Sequence, residues 1–418
     1  MGLRKKEIPM TVYVMQPDEA IAAMVAPEGR LNPYPLYEAI RAHGDLVQVR
    51  EGLIAAVGYA ECSRALREPQ FRVQDASSYD IVYPEWRSHS SLRGFTNSML
   101  FTNPPDHARM RRLVTGAFTA RRVAELRPAV ERMTDQLLDR LAEIGADGSP
   151  MDLMNEFAFR LPVAVISEML GVPEGDQVWF RAVAADVMIA LEGLTTLSEL
   201  ARADAAVDEL SAYLGELIDR RRRTPSDDLV SALVQVRDSD GDRLSQDELM
   251  GNLTLLLNAG FDTTTHLLGH GVLQALERPE FRARLCVDPD FTVNYVEETL
   301  RFEPPVQATS RWAGADVNLM GTEVPAGTKV LVLMAAGNRD PRRFPQPDRF
   351  DPDRPDIQPL SFAGGIHYCV GAPLARMEAQ VALPMLLRRF PKLAVAGTPT
   401  FRARWLARGH NWLPVSIG

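Results

Sequence analysis

Residues 362–371 read Phe-Ala-Gly-Gly-Ile-His-Tyr-Cys-Val-Gly, which is the most specific pattern in the sequence. It places Cys369 in a glycine-rich turn, between proline-rich coil and an expected helix over residues 372–390. The glycines let the backbone fold tightly around a large flat ligand, and the helix N-terminus directs amide N–H groups at the cysteine. Such a setting lowers a thiol pKa and suits a thiolate that binds a metal. The alternative for a lone cysteine is a small buried side chain in a turn.

The composition is that of an ordinary globular protein. The 418 residues are 46% hydrophobic and 24% charged, and the net charge of −9 gives no overall basic surface for nucleic acid. The three cysteines lie far apart, so we expect neither a disulfide framework nor a zinc–thiolate cluster. No apolar run reaches the roughly 18 residues of a membrane helix. We therefore expect a cytoplasmic protein that binds neither nucleic acid nor membrane.

Apolar residues at intervals of three and four predict a mainly α protein with small sheets. The longest helix begins at the capping box of Ser245 and Glu248 and ends before Pro279, a length of roughly 50 Å. Further amphipathic helices are predicted over residues 106–144, 154–170 and 200–223, and strands over 46–57 and 324–334. No repeat or linker divides the sequence. We expect one domain over residues 1–418, with residues 1–30 as a partly mobile N-terminal extension.

Residues 259–264, Ala-Gly-Phe-Asp-Thr-Thr, interrupt the apolar face of the long helix. Glycine inside a helix costs about 1 kcal/mol against alanine, so we expect a ligand that approaches Gly260 closely. Asp262 and Thr263 place a carboxylate beside a hydroxyl, a pair that can transfer protons. The alternative is a helix kink in which the Thr263 hydroxyl bonds back to a carbonyl.

Two pairs of residues at helical spacing are candidate binding groups. His107 and Arg111 are four residues apart, so they share a helix face and can bind one anionic group. The alternative for that pair is a solvated helix face. His266 and His270 have the same spacing, but no third metal ligand is apparent, and we expect them to pack rather than bind metal.

The pattern F-x-x-G-x-[HR]-x-C-x-G arises by chance in about one chain in ten thousand. Together with residues 259–264 and residues 101–114, FTNPPDHARMRRLV, it resembles the cytochrome P450 family. The resemblance implies the mainly α cytochrome P450 fold, a triangular helical prism with small β-sheets, with haem b between the long central helix and the cysteine loop. The family usually has glycine where Ala363 stands. It often has histidine and glutamate where Phe261 and Asp262 stand.

The resemblance also implies roles for single residues. Cys369 is the proximal ligand of the haem iron, Thr263 steadies dioxygen and a water, and Asp262 links that water to bulk protons. Glu298 and Arg301 form a structural ion pair, completed by Arg349 or Arg354. The basic side chains implied for the haem propionates are His107, Arg111, Arg311 and His367. The other implied haem contacts are Ala259, Gly260, Phe362 and Gly371.

The activity that the resemblance implies is a monooxygenase that inserts one oxygen atom from O2 into a small organic substrate, typical of natural-product tailoring. No reductase sequence follows Cys369, so we expect electrons from a separate ferredoxin and its NAD(P)H-dependent reductase. A basic patch of Arg109, Arg112 and Arg376 is expected to steer the ferredoxin. We expect a monomer, with a substrate that is free or bound to a carrier protein.

Two alternative functions remain open. One is a peroxide-driven peroxygenase, which has little need of Asp262 and Thr263, and the other is a haem-containing binding or recruitment protein without turnover. The substrate is not specified by the sequence, because the expected pocket walls are its least patterned parts. These walls are residues 75–100, 183–196, 255–263 and 306–310, with Asn411 and Trp412.

Overall fold

The computed structural model describes residues 15–192, 196–236 and 241–418. Helices dominate these ranges. They are α1 Pro17–Val25, α2 Pro27–Leu31, α3 Tyr34–Arg41, α4 Tyr59–Arg67, α5 Ala76–Val82, α6 Ser90–Thr96, α7 Asp106–Ala117, α8 Ala120–Glu125, α9 Arg127–Ile144, α10 Arg160–Leu170, α11 Gln177–Val187, α12 Leu197–Arg223, α13 Leu229–Gln235, α14 Gln246–Glu277, α15 Pro279–Leu285, α16 Pro289–Phe302, α17 Met334–Gly337 and α18 Ala372–Arg389.

The strands are short and form four small sheets. They are β1 Leu46–Arg50, β2 Leu53–Ala56, β3 Phe71–Arg72, β4 Met151–Asp152, β5 Thr309–Ala313, β6 Val317–Leu319, β7 Thr322–Val324, β8 Lys329–Val332, β9 Ala394–Val395, β10 Thr400–Phe401, β11 His410–Trp412 and β12 Pro414–Ser416. The largest sheet has the order β1-β2-β8-β5-β3, and the others are β4-β12-β9, β6-β7 and β10-β11.

The five-stranded sheet is buried on both faces. Strand β8 alternates its side chains, as strands do, so Val330 and Val332 join one apolar cluster and Leu331 joins another. Strand β5 pairs antiparallel with β8 and places Arg311 opposite Val330. The sheet therefore holds Arg311 on a rigid, buried support.

The long helix α14 confirms the strongest local prediction. The Ser245 side chain accepts a hydrogen bond from the N–H of Glu248, the capping box is present, and the helix ends at Glu277, two residues before Pro279. Helix α14 packs against α10 on one side and α18 on another. It therefore brings residues 259–264 into the interior, where Gly260 lies against Ile166 of α10.

Several predicted elements have different bounds. Residues 106–144 form three helices, α7 to α9, rather than one continuous helix. The helical hydrogen bonding is interrupted at Phe118 and again at Leu126. Residues 154–170 begin with a π-helical turn, Met154–Ala158, before α10. The chain after α18 contains β9 to β12, where the sequence predicted only a tail, because strands of two or three residues leave little periodicity.

The predicted N-terminal extension is helical over α1 and α2, and residues 1–14 lie outside the described residues. No helix within the described ranges has the length and apolar character needed to cross a membrane.

Candidate active site

The cysteine loop closes on itself through its backbone. The N–H of Cys369 donates to the carbonyl of Phe362 at 3.0 Å. Helix α18 begins at Ala372 with Gly371 as its N-cap. Burial raises the pKa of the Cys369 thiol, while hydrogen bonds from the N–H groups of Gly371 and Ala372 oppose that rise. The N–H donors at the helix start thus favour negative charge on the sulfur, but the net shift of the thiol pKa is upward, opposite to the lowering that the sequence predicts.

Two residues of the loop have a left-handed backbone. Gly365 has φ +64°, and a Cβ at that position would lie 2.6 Å from the carbonyl oxygen of Leu66, so only glycine fits there. Ala363 has φ 58° and ψ −147°, a region that residues with a Cβ rarely adopt. The glycine that the family usually has at position 363 avoids this strain, so the substitution leaves the loop shape intact at a cost in stability.

The Cys369 side chain is accessible although protein atoms surround its sulfur. Cys369 is an exposed residue, whereas Cys62 is buried and Cys286 is half-buried. At the same time, burial is the largest influence on the pKa of Cys369. An accessible sulfur surrounded by protein lies at the bottom of a recess. This arrangement suits a flat ligand whose metal the sulfur contacts from below.

Four basic side chains from three parts of the chain meet beside the loop. His107 and His367 have ring centroids 4.3 Å apart, although one lies on α7 and the other next to Cys369. Arg111 lies one helical turn after His107, and its Nη2 donates to the carbonyl of Tyr368 at 2.6 Å. Arg311 comes from β5, and its charge lowers the pKa of His367. The structure therefore brings together the four residues expected for one anionic ligand.

These four side chains lack an anionic partner among the described residues. The Nε2 of buried His107 has no hydrogen-bond partner. Burial, and then the charge of Arg111, lower the pKa of His107 to about 4. Burial also lowers the pKa of Arg311 to about 10, and the pKa of His367 falls to about 3 through burial and the nearby basic groups. Buried basic groups without a counter-charge fit a ligand that carries carboxylates.

One face of α14 is accessible in an otherwise buried stretch. From Gly251 to Val272, every residue is buried except Ala259, Gly260 and Thr263. These three residues share one face of the helix at helical spacing. A Cβ at Gly260 would lie 3.2 Å from Cδ1 of Ile166. Close packing of α10 therefore gives a reason for this glycine that the sequence did not indicate.

The Thr263 hydroxyl donates to the carbonyl of Ala259 at 2.9 Å. This hydrogen bond to the preceding turn is the alternative that the sequence left open. It leaves the lone pairs of the oxygen free to accept a hydrogen bond on the accessible face.

Asp262 has partners that the sequence did not reveal. Its Oδ1 accepts from Arg402 Nη1 at 2.7 Å and lies 3.6 Å from Nε2 of His266, while its buried Oδ2 has no partner. Burial alone would raise the pKa of Asp262, but His266 and Arg402 outweigh it and hold the pKa well below its usual range. Arg402 lies far from Asp262 in sequence and belongs to no motif, so no local signal could have identified it.

The geometry agrees with the comparison of the sequence with known families. The sequence model described as Cytochrome P450 matches residues 72–399. The chain belongs to the cytochrome P450 family.

Individual relatives cover nearly the whole chain. Cytochrome P450 monooxygenase PikC of Streptomyces venezuelae is 42% identical over 92% of this chain and 91% of its own. Mycinamicin IV hydroxylase/epoxidase of Micromonospora griseorubida is 44% identical over 76% of this chain and 79% of its own. The crystal structure of P450BioI in complex with an acyl carrier protein ligated to hexadec-9Z-enoic acid has a TM-score of 0.86 and 32% identity, covering 94% of this chain and 99% of that one. The chain is thus a cytochrome P450 monooxygenase with the P450 fold.

The residues present fit the haem-thiolate cofactor of this family. Cys369 is placed where it could serve as a thiolate ligand, and the basic cluster of His107, Arg111, Arg311 and His367 could pair with carboxylates. Phe362 forms the other end of the cysteine loop, and the Arg376 guanidinium lies 4.4 Å from its ring centroid.

The predicted structural ion pair of this P450 is wholly buried. Arg301 donates through Nε and Nη2 to the two carboxylate oxygens of Glu298, both at 2.7 Å. Arg354 donates its Nε to Glu298 at 3.2 Å. Of the two residues that the sequence left open, Arg354 therefore completes the charge pair, while Arg349 contributes its carbonyl to Arg301.

The expected basic patch is partly neutralised within the chain. Arg109 binds Glu248, and Arg376 binds Glu297 through two hydrogen bonds. Arg112 is exposed. These acidic partners weaken the field that Arg109 and Arg376 can present to another protein.

A cleft of about 490 Å³ lies over part of the predicted pocket wall, and it includes Ile189, Glu192 and Asn411. Residues 193–195 of that wall lie outside the described residues.

His266 and His270 are buried beside His410, and the described part of the chain holds no group of three ligands that could bind a metal ion. The expectation that these histidines pack in the interior is consistent with this arrangement.

Proposed function

We propose that this P450 binds haem b through Cys369 and inserts one oxygen atom of O2 into a small natural product. The observation that carries the proposal is the accessible Cys369 sulfur in a recess beside basic side chains that have no acidic partner. The bound haem supplies the reductive activation of dioxygen that no side chain can perform. The protein supplies binding, orientation and protons.

The basic cluster is proposed to hold the haem propionates. Arg111 and Arg311 offer the planar guanidinium groups that pair with carboxylates, and the free Nε2 of His107 offers a further hydrogen bond. His367 completes the cluster from within the cysteine loop. Nonpolar contacts to the ring are proposed for Phe362, Gly371, Ala259 and Gly260.

Asp262 and Thr263 are proposed to deliver protons to the reacting oxygen. Thr263 lies on the accessible face of α14, and Asp262 is the next residue, held as a carboxylate by Arg402. A carboxylate that receives protons from solvent and a hydroxyl that orients a water together form a general acid relay.

The substrate is proposed to be a natural product, either free or attached to a carrier protein. The relatives include a hydroxylase/epoxidase named for mycinamicin IV and a P450 solved with an acyl carrier protein. A shared fold does not by itself show that two enzymes act on the same substrate. The proposed walls remain residues 75–100, 183–196, 255–263 and 306–310, with Asn411 and Trp412.

Electrons are proposed to come from a ferredoxin and its NAD(P)H-dependent reductase, with the P450 acting as a cytoplasmic monomer. The docking face is proposed around the cysteine loop, where Ile366 and Tyr368 are exposed near Arg376. We expect charge reversal of Arg109, Arg112 and Arg376 together to slow reduction by ferredoxin. Unchanged reduction by ferredoxin in that triple variant would contradict this docking face.

The proposal is tested by turnover in isotopically labelled dioxygen. The purified enzyme is incubated with ferredoxin, reductase, NADPH and candidate substrates, both free and carrier-bound, and products are analysed by mass spectrometry. We expect one labelled oxygen atom in the product, with catalase present to remove peroxide. Product formed only from added hydrogen peroxide would indicate a peroxygenase. Substrate binding without any oxidation would indicate a binding protein.

A further inference from the structure

Asp262 lies between the accessible face of α14 and an arginine from the C-terminal hairpin. Arg402 follows β10, and its backbone N–H donates to the carbonyl of Gly409 at 2.8 Å, which fixes it to the hairpin next to β11. Its Nη1 contacts both Asp262 Oδ1 and the Nε2 of His266. The His266 ring has no room to move toward the hairpin, since a Cβ at Gly409 would lie 1.8 Å from its Nδ1. Backbone packing therefore fixes both partners of Asp262.

The other side of Arg402 lines the cleft of about 490 Å³ described above, together with Glu192 and Arg404. The side chain of Arg402 is 18% exposed, whereas that of Asp262 is only 8% exposed. Arg402 thus stands between a buried carboxylate and an open space that solvent reaches.

Glu192 is an acidic group in this cleft with defined neighbours. Its Oε2 accepts from the N–H of Leu406 at 3.3 Å, and its Oε1 lies 3.6 Å from Nη1 of Arg404. Burial raises the pKa of Glu192, the nearby Asp262 carboxylate adds to the rise, and Arg404 and Arg402 oppose it. The Asp262 carboxylate therefore acts on the charge of Glu192, and Arg402, which pairs with Asp262, lines the same cleft as Glu192.

We propose that protons enter through this cleft by way of Glu192 and that Arg402 is the positioning residue that holds Asp262 to receive them. This inference rests on the proposed role of Asp262 and Thr263. Each turnover takes two protons and two electrons, with ferredoxin supplying the electrons. A proton from solvent binds Glu192 and passes, through water bound to the spare donors of Arg402, to Asp262. Asp262 passes it toward Thr263, and Glu192 is then protonated again from solvent.

The alternative function of Arg402 is to neutralise a buried charge without any part in proton delivery. A purely structural role predicts lower stability, but an unchanged solvent isotope effect on kcat and unchanged peroxide release. Proton delivery predicts that both of these quantities change. Matched controls lie in the same cleft: Arg202, which pairs with Asp186, and Glu199, which caps α12 and for which glutamine caps equally well.

The experiment compares haem-loaded Arg402→Gln, Arg402→Lys and Glu192→Gln with the controls Arg202→Gln and Glu199→Gln. We expect Arg402→Gln and Glu192→Gln to increase the peroxide released per electron several-fold and to raise the solvent deuterium isotope effect on kcat, with reduction by ferredoxin unchanged. Arg402→Lys keeps a cation beside Asp262 and should recover most of the coupling. If the two test variants behave like the controls, the inference is wrong.

A measurement without turnover tests the positioning contact itself. Urea unfolding of Asp262→Asn, Arg402→Gln and the double variant forms a cycle that isolates the interaction of the two residues. We expect clear non-additivity for this pair and additivity for Asp262 with Arg202. Additive effects of Asp262 and Arg402 would overturn the positioning role.

The same experiments separate this inference from the relay on which it rests. If Asp262→Asn leaves peroxide release and the isotope effect unchanged, the relay itself is wrong and the inference falls with it. If Asp262→Asn changes both quantities and Glu192→Gln and Arg402→Gln change neither, the relay stands and only the cleft route is wrong.

Discussion

Two buried arginines of this P450 differ in how their charges are satisfied. Arg301 is fully buried and uses all its donors within the chain, on Glu298 and on the carbonyls of Asn338, Pro347 and Arg349. Arg311 is 4% exposed and, within the described part of the chain, donates only to its neighbours Ser310 and Thr309 and to no carboxylate.

The difference separates a residue that holds the fold from one that binds a ligand. A buried cation with a bound carboxylate belongs to the folded chain itself, whereas a buried cation without one is stabilised only when an anion binds. The cluster around Arg301 joins α16 to the coil before the cysteine loop. The cluster around Arg311 borders the recess over Cys369. We therefore expect substitutions at the two sites to act on different quantities.

The largest effect is expected for Arg301→Ala. It leaves the buried Glu298 carboxylate with one of its two charged partners, Arg354, and breaking such a pair costs about 3–5 kcal/mol. We expect poorly folded, haem-poor protein with a strongly lowered urea midpoint. Arg354→Ala, which removes the partly exposed member of the same cluster, should cost less. A well-folded Arg301→Ala variant that is defective only in turnover would contradict the scaffold role.

Arg311→Gln is expected to have a smaller effect, which acts on haem retention rather than on folding. A hydrogen bond to a charged group contributes about 1.5–3 kcal/mol, so haem should be lost to an excess of acceptor protein about tenfold faster. The circular dichroism and urea midpoint of the haem-free protein should hardly change. Loss of folding equal to that of Arg301→Ala would remove the distinction between the two arginines.

Two threonines of α14 allow the same contrast between a group that faces the recess and one that does not. Thr263 and Thr265 each donate to a carbonyl one turn earlier, but Thr265 is buried away from the accessible face. We expect Thr263→Ala to divert electrons to peroxide and to lower product per electron at least about tenfold, since general acid catalysis contributes roughly 10²–10⁴-fold. Thr265→Ala should leave this coupling unchanged. Equal coupling in both variants would show that the relay lies elsewhere.

The smallest effect is expected in the cysteine loop, at Ala363. Glycine relieves the strain of a left-handed backbone, so Ala363→Gly should stabilise the protein by about 1 kcal/mol. The reverse change at Gly365, to alanine, should destabilise it, because the Cβ would collide with the Leu66 carbonyl. Urea unfolding at matched haem content measures both. Destabilisation by Ala363→Gly would show that the loop gains more from the methyl group than it loses in strain.

The sequence predicted the features whose cause is local. The capping box at Ser245 begins a helix by itself, and Pro279 marks its end, so α14 was predicted almost to the residue. The turn that holds Cys369 was predicted for the same reason, since its glycines and the following helix are consecutive in the chain.

Other features depend on residues that meet only in the folded chain. Arg402 reaches Asp262 from a hairpin whose strands have two and three residues, too short to leave a pattern. The close approach of Ile166 to Gly260 likewise depends on how α10 packs on α14. The choice of Arg354 over Arg349 beside Glu298 required the fold, because both residues lie in the same coil and have the same chemistry.

The most direct test of the account is the absorption difference spectrum of the dithionite-reduced protein with and without carbon monoxide. We predict the long-wavelength Soret band that thiolate-bound haem gives and histidine-bound haem lacks. Cys369→Ala should abolish the band, and Cys286→Ala, a change at a half-buried cysteine outside the site, should leave it intact. A band that survives Cys369→Ala, or one that is missing from intact haem-loaded protein, would contradict the assignment of Cys369 as the haem ligand.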